Sequence, residues 1–268
     1  MPAYINTNVA SINTVRILDS SQKELTTSME RLSSGKRINH ARDDAAGMAI
    51  SSKMTSQING MNQAVRNTND GISMVQTADG AMEGIADKLQ RMRELAVQSS
   101  NGIYSSSDRA ALDIEFQALD DEINRVASSA EFNGTNLIDA DAQIDIQVSY
   151  AADSTNGKIT VSLSGVDSTD LGINANVITS QAASSTAITA VDAALSTVNS
   201  ARATLGATQN RLETTVKDLK NNVENLSASR SRIEDADFAS ETAQLAKSQI
   251  LQQAGMAMLA QANQLPQQ

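Results

Sequence analysis

The sequence contains no cysteine. That excludes disulfides, thiolate metal sites, iron–sulfur clusters and a thiol nucleophile. Histidine occurs once, at His40, so neither a multi-histidine metal site nor a serine–histidine–aspartate relay can be composed. Tryptophan is absent and only 2% of residues are aromatic, whereas an enzyme core of this size usually draws much of its buried area from such rings. The two prolines are Pro2 and Pro266, so everything between them is free of the residue that breaks helices. No apolar run approaches the roughly 18 residues of a membrane-spanning helix. The N-terminal MPAYINTNVASINTV lacks the basic stretch and apolar run of a secretory signal. A chain without membrane insertion and without a cleaved leader is expected.

What is present in excess is acid. Asp and Glu number 31 against 21 Lys and Arg, a net charge of −10 over 268 residues. Such a surface repels phosphate and argues against a nucleic-acid partner. The charge is unevenly spread: residues 1–42 carry a net +3, residues 229–268 a net −1 and residues 43–228 a net −12. Nearly neutral ends and an acidic middle suit a molecule whose ends are buried in an assembly while its middle faces water.

The clearest periodicity lies in the second half. Val191, Val198, Leu205, Leu212, Leu219, Leu226 and Ile233 recur at every seventh position. With Leu195, Arg202, Gln209, Val216, Val223 and Arg230 four residues further on, they form a seam with polar interruptions. The segment predicts a helix of roughly 65 Å. In the first half, Met54, Ile58, Met61, Val65, Thr68, Ile72, Val75, Asp79, Met82, Ala86 and Leu89 alternate spacings of four and three. Asp43 and Asp44 precede this run as caps and Asn101-Gly102 ends it. Leu112, Phe116, Leu119, Ile123 and Val126 predict a third helix with Asp108 as its N-cap.

Thinner amphipathic stripes mark both ends: Val15, Leu18, Leu25, Met29 and Leu32 before Ser33-Ser34-Gly35, and Leu245, Ile250, Leu251, Met258 and Leu259. Each alone buries too little to be stable, so both are expected to be disordered in the free chain and to fold against partners. Between residues 140 and 180 the period falls to two. Ile144, Ile146, Val148 and Tyr150, then Asp153–Gly157, then Ile159, Val161 and Leu163 predict a β-hairpin. The Ser-, Thr-, Ala- and Asn-rich residues 174–188 predict a flexible connection or surface loop.

No catalytic constellation emerges. The adjacent carboxylates Asp43-Asp44 and Asp120-Asp121-Glu122 diverge on a helix, serving a helix start and a solvated face. Ser34-Gly35-Lys36 fails as a phosphate loop because Glu30 and Arg37 stand where Gly and Ser or Thr are required. His40 sits in a polar linker. The residues imply no enzyme and no cofactor.

Tyr4–Asn13 (YINTNVASIN), Arg31–Asn39 (RLSSGKRIN), Asp43–Ile50 (DDAAGMAI), Leu89–Gln98 (LQRMRELAVQ) and Glu131–Leu137 (EFNGTNL), in order along the chain, resemble the N-terminal signature of bacterial flagellin. Ser231–Ala239 (SRIEDADFA) and Gln249–Asn263 (QILQQAGMAMLAQAN) resemble its C-terminal one. The resemblance implies a mainly α fold, with long antiparallel coiled-coil helices forming a rod and a small β-hairpin region. Residues 1–42 plus 231–268 would form an inner domain of terminal helices, a coiled coil on assembly. Residues 43–230 would form the rod, with 139–189 a short variable region inside it. Family members usually continue past Leu265-Pro266-Gln267-Gln268 with a short Leu-rich tail.

The implied function is structural: many identical subunits polymerise into the helical flagellar filament used for motility. They are exported unfolded without a cleaved signal peptide, with an export chaperone and a cap protein as helpers. Inner-domain contacts then fall to Leu18, Leu25, Leu32, Leu245, Leu251 and Leu259. The rod core falls to Leu205, Leu212, Leu219, Leu226, Val65, Ile72, Val75, Leu119 and Ile123. The resemblance also implies an animal innate immune receptor as a partner, touching Gln90, Arg91, Leu95 and Glu115. Hook–filament junction proteins share the terminal signatures but match less well at 89–98 and 131–137. A coiled-coil tether would share the heptads without the paired terminal signatures.

Overall fold

The structure is a computed structural model and describes residues 7–151 and 157–264. It is mainly α: α1 (Val9–Ser34), α2 (Ala45–Ser100), α3 (Ser106–Ser129), α4 (Gln181–Glu234) and α5 (Phe238–Gln264). Between α3 and α4 stand two small antiparallel pairs, β1 (Glu131–Phe132) with β2 (Thr135–Asn136) and β3 (Ala142–Gln147) with β4 (Lys158–Leu163). The chain divides into a terminal unit, residues 1–58 with 224–268, and a central unit, residues 59–223. The divisions fall within α2 after residue 58 and within α4 before residue 224, later than the expected 42/43 boundary and earlier than the expected 230/231 one.

Short polar side chains start the helices. Asp44 Oδ1 accepts from the Gly47 N–H at 2.8 Å, capping α2, while Asp43 Oδ2 accepts from the N–H groups of Asn39 and His40 in the preceding turn. For α3 the cap is Ser105 rather than Asp108. Asp108 stands at the third helical position and closes a reciprocal capping box with it. Gly35 ends α1 with φ of +70°, where a β-carbon would be strained.

In the central unit, α2 and α4 run antiparallel. Asp79 pairs with Arg202 (2.8 Å), Arg93 with Asp192 (2.6 Å) and Ser99 with Ser184 (3.1 Å), so each step up α2 is a step down α4. Their shared core takes Met82, Ile85, Leu89 and Met92 from α2, Phe116 and Ile123 from α3, and Val191, Val198, Leu205 and Leu212 from α4. Val75 and Leu219 are also buried, whereas Val65, Ile72 and Leu119 are half-buried. The second buried row of α4 lies three residues after the heptad aliphatics, not four: Ala194 and Thr208 are buried, while Leu195, Arg202 and Gln209 are half-exposed. Small side chains filled that row, so hydrophobicity alone did not mark it.

The hairpin pairs Ile144 with Val161 and Ile146 with Ile159. Gly71 of α2 lets it approach: a β-carbon there would lie 2.2 Å from Ile146 Cδ1. Of the turn expected at 153–157, only Gly157 is among the described residues. One expectation, for residues 174–188, is corrected here. Residues 181–188 are the first turns of α4, capped by Ser180, whose Oγ accepts from the Ala183 N–H. The stretch before them is tied down rather than flexible. Val166, Leu171, Ile173 and Ile178 are buried, and α3 holds the loop through Asn124 to the Ser168 N–H, Asp113 to the Ile178 N–H and Gln117 to the Asn176 carbonyl.

Candidate assembly surfaces

In the terminal unit α1 and α5 pair antiparallel. Asn8 Nδ2 donates to the Ala262 carbonyl (2.7 Å), Ser11 Oγ to Asn263 Oδ1 (2.8 Å) and Gln244 to Glu24 (3.4 Å), with Arg31 3.7 Å from Glu241. What this pair buries is unusual. Its buried residues are Ser21 and Ser28 from α1 and Ser248 and Ala262 from α5, and the Ser248 hydroxyl is fully enclosed without a partner. Many of the large apolar side chains lie outside. Val9, Ile12, Val15, Ile17 and Met29 of α1 and Phe238, Ile250, Met256 and Met258 of α5 are all exposed. Of the six leucines expected at inner contacts, Leu18, Leu25, Leu32, Leu245 and Leu259 are half-buried and Leu251 is 42% exposed. The seam is mixed: Leu18, Leu25 and Leu32 alternate with Ser21 and Ser28 along α1, and a β-carbon on Gly255 of α5 would lie 3.4 Å from Leu18 Cδ1. Exposed large apolar side chains in this number mark an interaction site.

The linkers after α1 and before α5 are held together. Lys36 and Asp235 form an isolated antiparallel bridge, the Arg37 N–H donates to the Glu234 carbonyl and the Ala236 N–H to the Gly35 carbonyl. Lys36 and Ser51 both engage the Glu234 carboxylate, and these contacts, Lys36 first, hold its pKa below the usual glutamate value. Arg230 reaches Thr55 Oγ1 at 3.1 Å, and Leu226 is half-buried. His40 lies 2.7 Å from Glu30 at the same turn.

A second surface lies on α2 and α3. Arg91 bridges Glu94 and Glu115 at 2.9 Å each, and these hydrogen bonds, Glu94 first, raise the guanidinium pKa further. Gln90, Arg91 and Glu115 are exposed together. Leu95 does not join them. It is 1% exposed, in the inward row with Met92, Ala96 and Ser99, because three- and four-residue spacings share a helix face. Among the described residues, no group of three or more His, Asp or Glu could hold a metal, and no helix is long and apolar enough to cross a membrane.

The bacterial flagellin N-terminal helical region matches residues 5–143 and the flagellin C-terminal helical region matches residues 188–268. The chain belongs to the bacterial flagellin family. It is 47% identical to a flagellin of Halalkalibacterium halodurans over 98% of this chain and 97% of that one. It is 42% identical to the flagellar filament core protein flaB2 of Brachyspira hyodysenteriae, again over 98% and 97%. The crystal structure of Bacillus cereus flagellin superposes with a TM-score of 0.50 at 34% identity, covering 57% of this chain and 88% of that one. The family matches stop short of residues 144–187. In this flagellin that interval holds most of the β3–β4 hairpin, the loop tied to α3 and the first turns of α4.

Proposed function

We propose that this flagellin is the structural subunit of a flagellar filament, built from many identical copies outside the cell and used for motility. One observation carries the reading: α1 and α5 fully bury serines and an alanine against each other and leave Val9, Ile12, Val15, Phe238, Ile250 and Met258 exposed. Covering those side chains with neighbouring subunits would stabilise the array by roughly 25 cal/mol per Å² of apolar area removed from water, offsetting the entropy of ordering the ends. A head-to-tail contact that does not close on itself extends into an open helix.

The composition supports delivery as an unfolded chain. No disulfide needs reduction, and no proline from residue 3 to residue 265 would slow refolding. Export through the flagellar apparatus, a chaperone covering the apolar ends and a cap protein guiding addition at the tip follow from that route. The Gln90, Arg91 and Glu115 surface is the part offered to an animal innate immune receptor, with Leu95 acting only as support beneath it; Arg91→Ala should abolish the response of receptor-bearing reporter cells. The decisive experiment for assembly is deletion of residues 1–30. Circular dichroism should retain the helical signal of α2, α3 and α4, while electron microscopy after seeding shows no filaments. Normal filaments from the truncated chain would refute the reading.

A further inference from the structure

The fully buried and the most exposed methionines fall in different units. Of the ten in the sequence, Met61, Met74, Met82 and Met92 are buried in the central unit, at 8% exposure or less. Met48 and Met54 are half-buried. Met29, Met256 and Met258 lie at 57%, 53% and 64% exposure, all on α1 and α5. Met29 follows Val15 by two heptads, Met258 follows Leu251 by one, and Met256 stands about five helical turns beyond Phe238. Each therefore lies in line with one exposed apolar side chain, Met256 and Met258 on different sides of α5.

We propose that Met29, Met256 and Met258 are oxidation sites through which peroxide controls assembly. This rests on the filament reading above. The chemistry is a two-electron oxygen transfer. A thioether lone pair attacks one oxygen of hydrogen peroxide, the O–O bond breaks as the S–O bond forms, and the departing hydroxide leaves as water after the proton shift. Sulfur is oxidised to the sulfoxide and peroxide is reduced. The product replaces a soft apolar group with a polar, chiral one. On a face that must lose its water against a neighbour, each sulfoxide brings in an oxygen needing a hydrogen bond that an apolar contact does not supply. The central unit is spared because peroxide does not reach its enclosed sulfurs. Addition of subunits is thus blocked while the fold of the subunit persists. The state is open to enzymatic reversal, since methionine sulfoxide is reducible.

The test treats soluble full-length protein with hydrogen peroxide and maps sulfoxides by mass spectrometry against time. Met29, Met256 and Met258 should be modified at least tenfold faster than Met61, Met74, Met82 and Met92, with the circular dichroism spectrum of the chain unchanged. Seeded polymerisation of the modified protein should fall at least tenfold in sedimentable filament. The triple variant Met29→Leu, Met256→Leu, Met258→Leu, which removes the oxidisable sulfurs and keeps apolar volume, should give the same filament yield with and without treatment, whatever its untreated yield relative to wild type. Filaments assembled first and then treated should acquire sulfoxide at the three sites several-fold more slowly than free subunits. Equal oxidation across all buried and exposed methionines would overturn the proposal. So would undiminished polymerisation after complete modification of the three, or loss of polymerisation in peroxide-treated triple-Leu protein. Failure of untreated wild-type protein to polymerise at all would instead remove the filament reading and the control of assembly with it, leaving the order of modification as an independent result.

Discussion

The two units solve the same packing problem in opposite ways. The central unit encloses Phe116, Ile85, Met92 and Leu205 and leaves few large apolar side chains in water. The terminal unit pairs two helices over Ser21, Ser28 and Ser248 and leaves Val9, Ile12, Phe238, Ile250 and Met258 outside. Nothing in helix propensity requires the difference, since both regions hold good helix formers. The contrast teaches that one chain can carry a finished core and an unfinished one. On the filament reading, the second becomes a core only when neighbouring subunits supply its other half.

That contrast can be broken from either side. The largest effect is expected from Ile250→Asp with Leu251→Asp. Two carboxylates on the outward face should abolish filament formation in a seeded sedimentation assay while leaving the chemical denaturation of the monomer unchanged. A fall in monomer stability would mean that these side chains already belong to a closed core. Next comes Phe116→Ala, which empties a fully enclosed site in the central unit and should cost about 3–5 kcal/mol in denaturant unfolding. A loss below about 1 kcal/mol would show that the central core is looser than its burial implies.

The smallest effect is a pair of opposed pH responses. Glu234 in the terminal unit has a lowered pKa, with Lys36 and then Ser51 as causes. Its stabilisation is present above the ordinary glutamate value of 4.5 and is lost as pH falls through the lower folded value. Asp120 of α3 is buried in the central unit, one of its oxygens has no partner, and desolvation raises its pKa. Its contribution is present below the ordinary 3.8 and is lost as pH rises through the higher folded value. Hydrogen exchange corrected for intrinsic rates should therefore show the Ser51–Glu234 junction loosening on acidification. The α3 segment around Asp120 and its Ser168 partner should tighten. Glu234→Gln should flatten only the first response and Asp120→Asn only the second. Parallel responses at both sites would contradict this assignment.

The long helices were legible because their apolar positions keep a three–four rhythm over many turns, as Val191 to Leu219 and Ile58 to Leu89 do. The hairpin was legible because Ile144, Ile146, Ile159 and Val161 alternate cleanly. Other features left weaker marks. The β1–β2 pair turns on Asn133 and Gly134, both at positive φ, and an Asn-Gly between Phe132 and Thr135 was a signal available in the sequence. The inner row of α4 went unseen because Ala194 and Thr208 are small. The buried loop residues Val166, Leu171, Ile173 and Ile178 follow no period, so only the surrounding fold assigns them to the core. At the candidate surfaces, Leu95 shows the limit of motif reasoning. The motif gives its neighbours in sequence, whereas helix phase decides which of them reaches the surface.

The serine-lined seam has one more consequence. Ser21 and Ser28 repeat at seven, as do Ser248, Gly255 and Ala262, so sliding α1 past α5 by one repeat would oppose nearly the same small groups. Such a seam is a ruler with identical marks. Its zero point must be written elsewhere, and the Asn8 amide on the Ala262 carbonyl at one extremity and Arg31 beside Glu241 toward the other are where it is written.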